Sequence, residues 1–283
     1  MTTAIKTWGE AVDWTWNNHW KRQRSNQTVQ FRVDRISKFC GLSFPLAKMK
    51  KLSWWIELQN DILEEDQVSN ATVNRAISVA SCAVRKTYEA QLHSVRCPKI
   101  PRLEESEGRI VYMTKEQVDR LAFLAIDIFD RQDLADAIVF SAYEGVRQGE
   151  LLKLKSEDID QNLNVIWVGG KPGRITKSRN VRTVPIHKKV QPILERRLSN
   201  NYLFGDDWKN KDQLYRAFKK VRKVAGLSEE YVWHCLRHSY ATWLGEIAHP
   251  RQIMDLMGHA NIDTTLRYCK PTDSAKKEAI DKL

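Results

Sequence analysis

Two prolines three residues apart, in Arg96-Cys97-Pro98-Lys99-Ile100-Pro101-Arg102, limit how this chain can fold more than any other feature. Proline fixes φ and has no N–H, so a helix cannot run through this stretch. The next segment, Leu103-Glu-Glu-Ser-Glu-Gly108, is acidic and glycine-ended, with little to bury. The chain of 283 residues is therefore cut about a third of the way along. That length suits two ordinary hydrophobic cores. We place a first domain at residues 1–96, a linker at 97–112, a second domain at 113–271 and a terminal helix at 272–283.

The first domain reads as helical. Trp8, Val12, Trp16 and Trp20 recur every four residues, and Val29, Val33 and Ile36 continue a second apolar stripe. Tryptophans at helical spacing predict core. Ser69 or Asn70 is positioned to cap a helix through Val73, Ile77, Val84 and Tyr88. After the linker, Thr114-Lys-Glu-Gln117 is a capping box opening a helix through Val118, Leu121, Leu124 and Ile128. A further helix covers Leu134 to Ala142. Val165-Ile-Trp-Val168 predicts a short strand, and Val181-Arg-Thr-Val184-Pro-Ile186 alternates apolar with polar, so a small antiparallel sheet follows. Helices resume at Lys211–Ala225, His234–Leu244 and Arg251–Met257, and the last begins near Thr272. The fold class expected is mainly α with a small antiparallel β-sheet.

Net charge is +11, which points to a polyanionic partner. Residues 1–105 hold 16 Lys/Arg against 11 Asp/Glu, so both lobes are basic and the excess is no mere tail. No apolar run reaches the length of a membrane span and the start lacks a signal peptide, so a soluble, cytoplasmic protein is expected. Five scattered cysteines without a C-x-x-C pair argue against a disulfide framework or a cysteine zinc site.

The polar residues that carry chemistry lie in the second domain. His234, Arg237 and His238 share one helical face at i, i+3 and i+4. Two histidines at that spacing resemble the zinc motif H-E-x-x-H, but Cys235 stands where its glutamate would be and a guanidinium shares the face. His beside Arg suits a phosphate better: Arg supplies fixed charged donors and His exchanges a proton near neutral pH. Gly145-Val-Arg147 with Glu150 one turn on, Lys177 in the strand-rich segment, Gly258-His259 and Tyr268 complete the set. A basic stretch, Lys209, Lys211, Arg216, Lys219, Lys220, Arg222 and Lys223, reads either as a phosphate-facing helix or as a solvated face.

Taken together these boxes resemble the tyrosine recombinases of the phage integrase family. Arg147 in Glu144-Gly-Val-Arg-Gln-Gly-Glu-Leu-Leu-Lys-Leu154 is similar to the first active-site arginine. His234-x-x-Arg237 resembles the H-x-x-R box, Leu256-Met-Gly-His259 the L-G-H box, and Thr264-Thr-Leu-Arg-Tyr268 the nucleophile segment. Lys177 falls where the family carries a hairpin lysine, and the boxes keep the family's order and gaps. The resemblance also reaches Asn70–Tyr88.

That resemblance implies a core-binding (SAM-like) DNA-binding domain and a catalytic domain forming a C-shaped clamp on double-stranded DNA. It implies Tyr268 as a nucleophile that cuts and rejoins DNA through a 3′-phosphotyrosyl link, for integration or excision of a phage or mobile element. Arg147, Arg237 and His259 would stabilise the transition state, Lys177 would protonate the leaving 5′-oxygen, and His234 would accept the tyrosine proton. Glu150 supports the site, and no metal or other cofactor is called for. A homotetramer on two DNA sites is implied, helped by accessory DNA-bending proteins, with residues 272–283 packing on a neighbouring protomer. The alternatives are a Xer-like chromosome-dimer or plasmid resolvase and, from another class, a non-catalytic DNA-binding regulator of the same fold.

Overall fold

The computed structural model describes residues 4–23, 25–105, 108, 110–171, 181–269 and 280–281. The chain divides into two compact units, Met1–Gly108 and Arg109–Leu283.

The first unit is helical: α1 (Trp8–Thr15), continued by a π-helical turn to Trp20, then α2 (Asn26–Cys40), α3 (Leu52–Asp66) and α4 (Asn70–Glu89). The tryptophan stripe is core. Trp8 and Trp55 are fully buried, and each indole N–H has a partner, Ser37 Oγ at 2.9 Å and the Met49 carbonyl at 2.7 Å. That satisfaction is what lets so large a polar-tipped ring sit inside.

The proline-rich stretch is tied to the first unit. Its backbone is held by amides of this unit: Gln59 donates to the Pro101 carbonyl at 3.0 Å, and Asn74 donates to the Leu103 carbonyl and accepts its N–H. Ile100 and Leu103 pack on the same core. An extended chain has no internal hydrogen bonds, so side-chain amides supply them.

The second unit starts at the Thr114 capping box, seen with both reciprocal bonds, and α5 (Lys115–Asp127). Next come α6 (Gln132–Glu144) and α7 (Gln148–Leu151), then β1 (Ile159–Asp160), β2 (Val165–Val168) and β3 (Arg182–Pro185), an antiparallel sheet in that order. Trp167 faces Thr183 across the β2–β3 register. Then follow α8 (Gln191–Arg197), α9 (Lys211–Val224), α10 (His234–Gly245), α11 (Pro250–Met257) and α12 (Ile262–Leu266). Among the described residues no helix is long and apolar enough to cross a membrane. The terminal helix expected at 272–283 lies outside the described residues except for Ile280 and Asp281.

Nearly all of α6 is buried, which makes it the central helix of this unit. Its charges therefore need partners. Asp136 has them, in Arg197 Nε at 2.9 Å and Arg196 Nη2 at 2.7 Å. Glu144 is half-served: Oε1 accepts the His187 N–H at 2.9 Å, but Oε2 has no hydrogen-bond partner among the described residues. Burial pushes this carboxyl up to about 8. A folded-state pKa above the unfolded one gives stability that is full below about 4.5 and lost as pH rises towards 8. Glu144→Gln, neutral at every pH, should therefore melt several degrees above the parent at pH 8 and level with it near pH 4.5. Equal melting curves at both values would show that this carboxyl is not held protonated.

Candidate active site

Two helix ends build the floor of the site. Helix α6 stops at Gly145 and α11 at Gly258, both left-handed at φ 61°. Glycine is favoured there because a side chain is strained at positive φ. At Gly145 a Cβ would also strike the Tyr240 ring. Each cap leaves carbonyls at the negative end of its helix dipole. Arg237, on α10 and only 3% exposed, donates Nη1 to the Gly145 carbonyl and Nη2 to that of Met257. Arg147 Nη2 lies 3.3 Å from the Gly258 carbonyl. The two arginines of the sequence motifs thus tie the end of α6 to the end of α11.

Burial, then the charges of Arg147 and Arg182, lower Arg237 to about 9, so it stays a cation at neutral pH. A guanidinium has five N–H donors, and two are used here on carbonyls. Three remain for an anion. Arg147 is more open, with 42% of its side chain exposed.

Glu150 organises this cluster. It takes the Arg147 backbone N–H at 2.9 Å and Arg147 Nη1 at 2.8 Å. Arg182 forks onto it through Nη1 at 3.2 Å and Nη2 at 2.9 Å, while its Nε donates to the Leu256 carbonyl at 2.8 Å. Desolvation alone would raise Glu150, but the Arg182 hydrogen bond and charge, then Arg147, draw it down to about 2. Its contribution is therefore present above about 4.5 and fades only as pH falls towards 2. The sequence analysis named Arg182 only as a polar position in the alternating strand Val181–Ile186. The signal was the strand register: Arg182 shares parity with the buried Val184 and Ile186, so its side chain points inward and requires a carboxylate. Arg182→Met should cost about 3 kcal/mol, the usual result of orphaning one side of a buried ion pair. Arg182→Lys should recover part of it; a urea titration unchanged by Arg182→Met would remove this role.

Tyr268 is seated from two sides. It packs on the cluster of Ala241, Ile253 and Met257, and its carbonyl abuts Gly245, where a Cβ would have no room. The phenol oxygen lies 2.5 Å from His238 Nδ1. The family pattern led us to expect His234 in that place. Instead His234 sits one turn back, its ring edge-on to His238 with centroids 4.6 Å apart. His259 stacks over Tyr268 at 6.3 Å, its Nδ1 2.8 Å from Thr265 Oγ1. Burial and the surrounding guanidiniums lower His259 to about 4, and burial lowers His234. Burial raises Tyr268, against the opposing pull of Arg237 and Arg267. Among the described residues no group of three or more His, Cys, Asp or Glu could hold a metal ion.

Lys177 lies outside the described residues. Of the basic stretch, Lys209, Lys211, Arg216, Lys219, Lys220 and Lys223 are exposed. Arg222 is not: it is 7% exposed and donates to the Glu229 and Tyr231 carbonyls at 3.0 and 3.4 Å. It faces inward because it falls on the α9 stripe with Leu214, Phe218 and Val221. The end of the Lys211 side chain packs over Gly149 so closely that a side chain there would displace it.

Residues 111–275 match the phage integrase family. The tyrosine recombinase XerA of Pyrococcus horikoshii is 33% identical, over 92% of this chain and 88% of its own. The tyrosine recombinase XerC of Staphylococcus epidermidis is 26% identical over 73% of each chain. In solved structures, the Tn1549 transposon integrase with circular intermediate DNA superposes at TM-score 0.78, with 20% identity over 99% of this chain and 100% of that one. A lambda integrase tetramer bound to a Holliday junction gives 0.74, with 17% identity over 94% and 78%. The last two establish likeness of fold.

Proposed function

Because the chain belongs to the phage integrase family of tyrosine recombinases, we propose that it is a site-specific DNA recombinase that cuts and rejoins a duplex through a 3′-phosphotyrosyl intermediate at Tyr268. One observation supports this reading: three separate stretches of sequence converge at the end of α11, where Arg147 and Arg237 donate to the Gly258 and Met257 carbonyls and His259, in the turn that follows, stacks on the Tyr268 ring.

The chemistry follows from those side chains. Covalent capture of the phosphoryl group conserves the bond, so the strand is resealed without ATP. An unperturbed tyrosine, with a pKa of about 10, is about one part in a thousand ionised at pH 7. The site must therefore remove its proton as the charge grows on phosphorus. Arg147, with the remaining donors of Arg237 and His259, stabilises that charge. Lys177 protonates the leaving 5′-oxygen. No cofactor has a step to perform.

We assign residues 1–96 to core binding, 97–112 to the connection, 113–271 to catalysis and 272–283 to contacts with a neighbouring protomer. The two basic units close as a C-shaped clamp on double-stranded DNA, with Lys209, Lys211, Arg216, Lys219, Lys220 and Lys223 on phosphates, positioning the duplex without reading it. The working assembly is a homotetramer on two sites, in the cytoplasm of a bacterium or an infected host, with accessory DNA-bending proteins where a site demands them. Integration or excision of a phage or mobile element is the first reading. Resolution of chromosome or plasmid dimers is the second, favoured by the match to XerA along 88% of that protein. Sequencing DNA junctions formed in cells that express the chain tests both. Recurrent, conservative junctions at one short sequence are expected, and their position names the reaction; the absence of any Tyr268-dependent junction would sink it.

A further inference from the structure

We infer that His238, and not His234, is the group that takes the phenolic proton when Tyr268 attacks phosphorus. The inference rests on the reading of Tyr268 as nucleophile. It is carried by placement: within α10, the side chain in hydrogen-bond contact with the phenol oxygen is His238, through Nδ1 at 2.5 Å. His234 meets the ring of His238. Proton transfer requires a base within hydrogen-bond reach of the proton it removes. His238 meets that condition in the resting site.

The groups facing His238 fix its protonation. His234 and Arg237 flank it on its own helix, Arg267 and Tyr268 approach from the chain after α12, and His259 from the turn after α11. Burial first, then these positive or ionisable neighbours, lowers His238 to about 4, so its ring is neutral at pH 7. A neutral imidazole has one N–H and one acceptor nitrogen. With the hydrogen on Nε2, Nδ1 accepts the phenol O–H.

A scissile phosphate arriving beside Arg147 and Arg237 adds the negative charge that offsets this repulsion, and the affinity of His238 for a proton rises when the base is needed. The Tyr268 O–H bond then breaks with its proton passing to Nδ1, the O–P bond forms, and the P–O5′ bond breaks as the 5′-oxygen takes a proton from Lys177. Rejoining runs the same transfers backwards, and His238 returns the proton to the phenol.

Two experiments on the full chain test this. The first needs no DNA: the imidazole nitrogens of His238 are followed by ¹⁵N NMR in the parent and in Tyr268→Phe. We expect Nδ1 unprotonated and hydrogen-bonded in the parent, with that bond gone in the phenylalanine variant; a proton on Nδ1, or no change, overturns the inference. The second uses a nicked suicide duplex built on the junction sequence recovered from cells. His238→Asn keeps an acceptor near the place of Nδ1 but cannot take a proton, and should slow covalent trapping about 100-fold, within the range of general bases. Replacing the bridging 5′-oxygen by sulfur gives a leaving group that needs no acid. It should rescue Lys177→Ala and leave the His238→Asn defect in place. Rescue of His238→Asn, a loss under tenfold, or a larger loss for His234→Asn than for His238→Asn would each refute it. If the parent itself traps no DNA while the NMR contact is present, the recombinase reading fails and the contact stands as structural.

Discussion

Tyr268→Phe is expected to bind the recombination duplex as the parent does and to form no covalent protein–DNA complex, a loss on the order of 10,000-fold or more, as for removal of other nucleophiles. The substitution removes one oxygen. The phenylalanine ring still packs on the cluster of Ala241, Ile253 and Met257, so the fold survives. What goes is the hydrogen bond to His238 Nδ1, worth about 1 kcal/mol to stability, and with it the phenol proposed as the nucleophile. The measurement is a gel shift beside a denaturing gel of a nicked suicide duplex: retention on the first without a shifted band on the second. A covalent band of undiminished intensity from the phenylalanine variant would move the nucleophile elsewhere. Excess EDTA in the same assay should leave parental trapping unchanged, because the guanidiniums supply the positive charge.

The legible parts of this protein were those governed by short-range rules. The Thr114 capping box and the helices expected at Lys211–Ala225 and Arg251–Met257 follow from local geometry, and the structure has helices at those places. The short elements were missed: α7 and α12 span a turn or so, and β1 is two residues long, too little for a period to register. The Arg147, Arg237, His259 and Tyr268 motifs were recognised as a set, but their mutual contacts run through backbone carbonyls of Gly145, Met257 and Gly258. A carbonyl carries no residue identity, so no motif announces it. His238 was visible on the same face of α10 as His234 and Arg237 but was given no role, since spacing gives the face and not the rotamer. Arg222 failed for the opposite reason. It was taken with a basic run, when the 3.6-residue period puts it on the buried side of α9.

Arg237→Ala should combine the second largest loss of activity with a large loss of stability, and the pairing follows from where the guanidinium sits. Cleavage is expected to fall about 1,000-fold, the upper range for deleting one preorganised donor at a developing oxyanion. Stability should fall by about 3 kcal/mol, because two charge-assisted bonds to the Gly145 and Met257 carbonyls disappear and those groups stay buried. The two effects are separable. Arg237→Lys keeps a cation in place but a single ammonium cannot span both carbonyls and an anion with the fork of a guanidinium. It should recover more of the melting temperature than of the rate. Arg147→Ala offers the contrast: with 42% of its side chain exposed and a single carbonyl contact beside Glu150, it should cost the rate comparably while costing stability much less. If Arg237→Ala lowered the melting point yet cleaved at the parental rate, the guanidinium would be a clamp between two helix ends and nothing more, and the phosphate would have to be met by Arg147 alone.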